Sequence, residues 1–238
     1  MRVWWRRAFM GLVALYLLLP IVVIAGVSLN AKKVLFFPPQ GVSLRWYEEF
    51  FTSSDWSAPA VRSLIVAVLA GLIAVSIALP LAYAVWRWGT RWARAVMLLG
   101  LAPFALPPVV TALGALVLWI VLRSFGQPYS VVLSHGVFLV TLPLATITLG
   151  FASLNREVVE AAVTMGATPG TVARTVVWPN LRPYVLAGYI FAFVLSLNEY
   201  IIAYMTVGFT FETLPVKIFN SLRYGYSPVM AAISLLFF

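Results

Sequence analysis

The sequence offers seven acidic side chains, one histidine and no cysteine. Without cysteine there is no thiolate nucleophile, disulfide framework or cysteine-based metal site. A lone histidine, His135, builds no histidine metal cluster. No Walker-type phosphate loop, Gly-x-Ser-x-Gly elbow or His-Glu-x-x-His pair occurs, so any ATP used by this protein must be bound by another chain. Two acids stand out by position. Glu199 is the one acid inside a long apolar run, where an ionisable group is expensive and faces protein or water. With Asn198, Tyr200 and Ser196 it could meet a cationic solute. The alternative is a structural hydrogen bond to another segment or a partner chain. Glu160, by contrast, opens a Glu160-Ala161-Ala162 triplet in a polar stretch.

The elements that must hold these residues follow from composition. Of 238 residues, 63% are hydrophobic and 10% charged, against about a quarter charged in a soluble domain. A soluble globule could not cover so much apolar side chain, so the bilayer is the solvent. The expected fold is an all-α polytopic membrane protein with about six transmembrane helices in a single domain, 1–238. The apolar runs place spans at about 8–29, 61–86, 95–122, 129–152 and 184–207. The first run is longer than the about 7–15 residues of a signal-peptide core, so it reads as an uncleaved span. A last run, 228–238, has 11 residues; this is too short to cross and is expected to be the start of an incomplete sixth span, the alternative being a re-entrant end. Pro103, Pro107 and Pro108 predict a kink in the third span. Residues 43–51 predict a short helix at the membrane surface.

The net charge of +9 follows membrane topology. The basic residues sit at the ends of apolar runs and form no nucleic-acid stripe. With the N-terminus cytoplasmic, Arg2, Arg6, Arg7, Arg87, Arg91, Arg94, Arg156, Arg174 and Arg182 lie inside. Lys32, Lys33, Arg45, Arg62, Arg123, Lys217 and Arg223 lie outside. Arg87, Arg91 and Arg94 share one short loop, where the positive-inside rule is strongest.

The cytoplasmic stretch 153–183 holds the strongest signal. Residues 156–165 favour a helix, and Gly166 can end it in a left-handed cap. Thr168 followed by Pro169 starts a second helix, with a hydroxyl cap and then proline at the first position. That helix is expected to stop at Pro179. Two short helices at an angle would then project from the membrane.

Glu160-Ala161-Ala162, then Gly166-Ala167, then Val177-Trp178-Pro179 resembles the EAA loop of ABC importer permeases, with Val and Trp where Ile and Leu are preferred and Thr164 where Asp is frequent. Residues 196–200 (Ser-Leu-Asn-Glu-Tyr), 213–219 (Thr-Leu-Pro-Val-Lys-Ile-Phe) and 37–47 are similar to the second permease of spermidine/putrescine-type importers. The resemblance implies a type I importer fold in a bacterial inner membrane, with the chain forming half of a pathway for a small, cationic solute. It implies as partners a second homologous permease, an extracytoplasmic solute-binding protein, membrane lipid, and a cytoplasmic ATPase dimer that holds ATP and magnesium and receives the EAA loop. In that loop Ala161 and Ala162 would permit close approach, Gly166 would provide the bend, and Glu160 would cap or pair. Related permeases carry opines, iron or thiamine. Outside this family, an ion-coupled transporter would need more spans, a repeat and more buried charge, and a membrane scaffold would use 153–183 for another partner.

Overall fold

The computed structural model describes residues 2–224 and 227–237; Met1 and Phe238, the two ends of the expected domain, lie outside the described residues. The chain is all-α, and its one β pairing among the described residues is an isolated bridge between Asn30 and Val42. Three helical stretches are long and apolar enough to cross a membrane, Val3–Ser28, Ser54–Trp88 and Pro169–Asn198. Two bent helix pairs bring the number to five if each pair is one span. The described residues form two compact units, Met1–Ala60 with Val216–Phe238, and Val61–Pro215.

In the first unit, α1 (Arg2–Ser28) packs against α13 (Val229–Leu236), which packs against α2 (Arg45–Thr52). Helix α2 is the short helix expected over 43–51, with Trp46 and Phe50 buried. The link between α1 and α2 is organised by one buried amide. Asn30 Oδ1 accepts the Lys32 and Gln40 N–H groups, and its Nδ2 donates to the Phe36 carbonyl at 3.3 Å. The Trp46 indole donates to the Asn30 carbonyl at 2.6 Å. A buried amide is tolerated because its donors and acceptors are used in this way.

In the second unit, α3 (Ser54–Trp88) lays a stripe of alanines, Ala67, Ala70, Ala74, Ala78 and Ala82, into the interior. Small residues let membrane helices approach closely where no hydrophobic effect drives them together. The sequence predicts one kinked span over 95–122, but the chain makes two helices, α4 (Arg91–Ala105) and α5 (Pro108–Val121), meeting at 108°. The reason is local: Leu106 and Pro107 are extended, with ψ of 146° and 136°, because a residue before proline is pushed out of the helical region. The fourth run likewise divides into α6 (Pro128–Phe138) and α7 (Thr141–Ala152), bent by 40°.

Helix α7 packs against α10 (Trp178–Asn198) through glycines at both ends of the contact. A Cβ on Gly188 would lie 2.7 Å from Pro143 Cα, and one on Gly150 would lie 2.8 Å from Leu181 and Tyr184 side-chain atoms. The Pro143 backbone has no flexible end with which to give way. Gly188→Leu is therefore expected to destabilise the folded chain by about 1–3 kcal/mol, seen as a lower melting temperature in detergent. Gly114→Ala, at a position open to space, should leave that temperature unchanged.

Candidate functional site

The polar residues of the fifth run converge on a break in the helix. The sequence places Ser196, Asn198, Glu199 and Tyr200 along one continuous span over 184–207. Instead α10 ends at Asn198 and α11 (Ile201–Val207) begins after Tyr200. Glu199 is extended, with ψ of 120°. Its carboxylate turns back onto the new helix, where Ile202 N–H donates to Oε1 and Oε2 at 3.0 and 2.9 Å and Ala203 N–H donates to Oε2 at 3.1 Å. The first turn of any helix leaves N–H groups without partners, and in an apolar slab no water can take them. Glu199 supplies the acceptor that lets the span break there. The break puts Ser196 in α10 and Tyr204 in α11. Tyr200 and Tyr204 stack on each other, ring centroids 5.6 Å apart. Asn198 donates to the Val194 carbonyl of its own helix.

His135 joins this group from α6. Its Nδ1 shares a 2.8 Å hydrogen bond with Ser196 Oγ, and its Nε2 lies 3.2 Å from Glu199 Oε2. The His135 side chain is 1% exposed and that of Glu199 10%. Sequence reasoning treats His135 and Glu199 separately, 64 positions apart. The signal that joins them is cost: the only histidine and the only acid inside apolar runs each need a partner, and each is suited to the other.

The second candidate site is 153–183. Asn155 caps α8 (Arg156–Thr164), its side chain accepting Glu157 N–H at 2.8 Å. Gly166 closes the turn at φ +84°, a region open to glycine and strained for other residues, and Ala167 N–H returns to the Ala162 carbonyl. Thr168 caps α9 (Pro169–Val172), with Pro169 at its first position.

The expected stop at Pro179 does not occur. The helix passes through a π-helical turn, Ala173–Val177, into α10, and Pro179 stands in the first turn of α10. A wider turn accommodates a proline that cannot donate, and Asn180 Nδ2 donates to the Val176 carbonyl at 2.7 Å. The second arm of the loop is thus the start of a 30-residue helix, Pro169–Asn198, that runs to the break at Glu199. Between α8, this arm and the end of α3 lies a cleft of about 510 Å³, lined in part by Glu160, Arg87, Arg156 and Trp86; the sequence marks Arg87 and Arg156 only as topology charges and does not point to Trp86. Ala161 is exposed and Ala162 half-buried. Val158, Val163 and Met165 are exposed apolar side chains on this loop.

Comparisons with known proteins agree on one family. The family model described as binding-protein-dependent transport system inner membrane component matches residues 74–238. The spermidine/putrescine transport system permease protein PotC of Haemophilus influenzae is 30% identical, over 96% of this chain and 89% of that protein. The putrescine transport system permease protein PotI of Escherichia coli (strain K12) is 29% identical, over 98% of this chain and 85% of that protein. Among solved structures, a chain of a bacterial ABC transporter involved in the import of the acidic polysaccharide alginate has a TM-score of 0.70 at 15% identity, covering 98% of this chain and 89% of that one. That similarity establishes a type I importer fold.

The capping geometry separates two properties of Glu199. Glu199→Ala removes the acceptor for two N–H groups and should cost about 1–2 kcal/mol of stability. Glu199→Gln keeps a carbonyl oxygen in place and should melt nearer to the wild type. Equal melting temperatures for Glu199→Ala and the wild type would show that the cap contributes nothing.

Proposed function

This chain belongs to the family of binding-protein-dependent transport system inner membrane components, and on that premise we propose that it forms half of a polyamine pathway, driven through residues 153–183 by a partner ATPase. The chain is a multi-pass inner-membrane permease subunit of an ABC importer. Family membership displaces the ion-coupled transporter and the scaffold. The substrate reading is carried by near full-length kinship to spermidine/putrescine permeases, and the chemistry of the fifth span supports it. A carboxylate at a helix break within the span suits a small organic cation better than an uncharged solute.

In this reading the N-terminus and the Arg87, Arg91 and Arg94 loop are cytoplasmic, and α8 docks on an ATPase dimer that holds ATP and magnesium. A second homologous permease completes the pathway, and an extracytoplasmic binding protein delivers the solute. The chain contributes motion and a route, without an ATPase site of its own. Glu160, Ala161, Ala162, Gly166, Ala167 and Pro179 belong to the docking lever. The exposed Val158, Val163 and Met165 provide apolar surface for the dock. Gly166 holds the angle between α8 and the long helix. A rise of 1.5 Å per residue makes that helix about 45 Å long, enough to carry a displacement from the loop to Glu199. Ser196, Asn198, Glu199 and Tyr200 form the solute-facing group, with the Glu199 charge attracting the cation.

The test is reconstitution of the complete importer in lipid. Binding protein loaded with spermidine or putrescine should stimulate ATP hydrolysis and uptake. Stimulation by a thiamine-, iron- or opine-loaded binding protein, with no response to polyamine, would overturn the substrate assignment. In the same system Gly166→Val, which places a branched side chain at φ +84°, should leave the amount of inserted permease unchanged and abolish coupled uptake. Survival of both ATPase binding and coupled uptake in that variant would refute the lever.

A further inference from the structure

Glu199 divides its two oxygens unequally. Oε2 takes Ile202 N–H, Ala203 N–H and the approach of His135 Nε2, whereas among the described residues Oε1 takes Ile202 N–H alone. A carboxylate has about four lone-pair directions. Oε2 is therefore committed to the protein, and Oε1 retains capacity for a further donor.

His135 is built to keep that division. Its ring is anchored at Nδ1 by Ser196, the residue three before Glu199 and still within α10. Its Nε2 is buried and lies 3.2 Å from Glu199 Oε2. One imidazole thus touches both the end of α10 and the break itself.

The backbone carrying this ring is clamped on two sides. The Trp119 indole donates to Ser134 Oγ at 2.8 Å. Gly136 approaches Ile73 so closely that a Cβ would lie 2.7 Å from Ile73 Cγ2. Neighbours on α5 and α3 thereby fix α6 on either side of His135, the rigid support that a positioning group needs.

We propose that His135 is a positioning residue for solute passage: it holds Glu199 Oε2 against the protein so that Oε1 is the oxygen presented to an ammonium group of the solute. This inference rests on the polyamine-import reading. His135 itself does not touch the solute. Its role is exerted through Glu199, so its loss weakens capture of the cation rather than the motion that moves it.

The test uses the reconstituted importer with polyamine-loaded binding protein and the variants His135→Gln, His135→Asn and His135→Leu. Gln reaches far enough to donate to Glu199, Asn is long enough only for Ser196, and Leu fills the volume without a donor. His135→Asn and His135→Leu should raise the KM for uptake about tenfold or more, as expected for losing a contact to a charged group, with kcat changed by less than about threefold. His135→Gln should restore most of the KM. In a Glu199→Gln background the His135→Asn change should add nothing further to KM.

A fall in kcat at unchanged KM, equal effects of Asn and Gln, or a full additional KM effect in the Glu199→Gln background would each overturn the proposal. If His135→Leu does not assemble, the Asn and Gln pair decides. If the wild-type importer does not take up polyamine at all, the substrate reading fails separately. The melting temperatures of His135→Asn, Glu199→Gln and the double variant then decide without a substrate: non-additive shifts support the positioning contact, and additive shifts overturn it.

Discussion

A helix that begins inside an apolar slab leaves its first N–H groups facing hydrocarbon, and each such group must find an acceptor within the protein. At Glu199 this requirement is met by a single carboxylate, which accepts from Ile202 and Ala203. Without it, the Ile202 and Ala203 N–H groups would lose this acceptor. With it, the span can turn, α11 can follow its own direction, and Ser196 and His135 can meet at the corner. The charge that makes the break possible is also the one charge of its sign within the apolar runs. In the proposed function, structure and solute chemistry fall on the same carboxylate, and Oε1 and Oε2 divide the two tasks.

The same helix carries the other half of the account. From Pro169 to Asn198 the chain is one helical rod, widened by a π turn where Pro179 would otherwise stop it. One end turns through Gly166 into α8, and the other ends at the carboxylate. The glycines at positions 150 and 188 bring this rod against α7 with almost no side chain between. Such a contact resists rotation of one helix without the other, because packed interiors shift between discrete arrangements and do not deform smoothly. In the proposed function, docking of α8 on an ATPase moves this rod and so reaches the break directly.

Much of the architecture was legible in the sequence. The apolar runs fall on helical stretches, the amphipathic residues 43–51 on α2, and the Gly166 and Thr168-Pro169 signals on the turn between α8 and α9. Local rules sufficed for these because each depends on neighbours within a turn or two. The misses share a different cause. Pro179 reads as a stop because proline removes a donor, but a wider turn and the Asn180 side chain absorb the loss. No proline or glycine marks the break at Glu199, since a carboxylate three residues upstream of an N–H group is a tertiary-looking contact made by local sequence. The pairing of His135 with Ser196 and Glu199 joins positions more than 60 apart, and nothing in either segment alone reveals it beyond the cost of burying each group unpaired.

The most direct test of this account is the structure of the reconstituted importer caught with spermidine in transit. The account predicts an amine of the ligand within hydrogen-bond distance of Glu199 Oε1, the Oε2 contacts to Ile202, Ala203 and His135 intact, and α8 seated on the ATPase. A ligand that crosses the membrane without meeting Glu199, or an α8 that makes no contact with the ATPase, would contradict it.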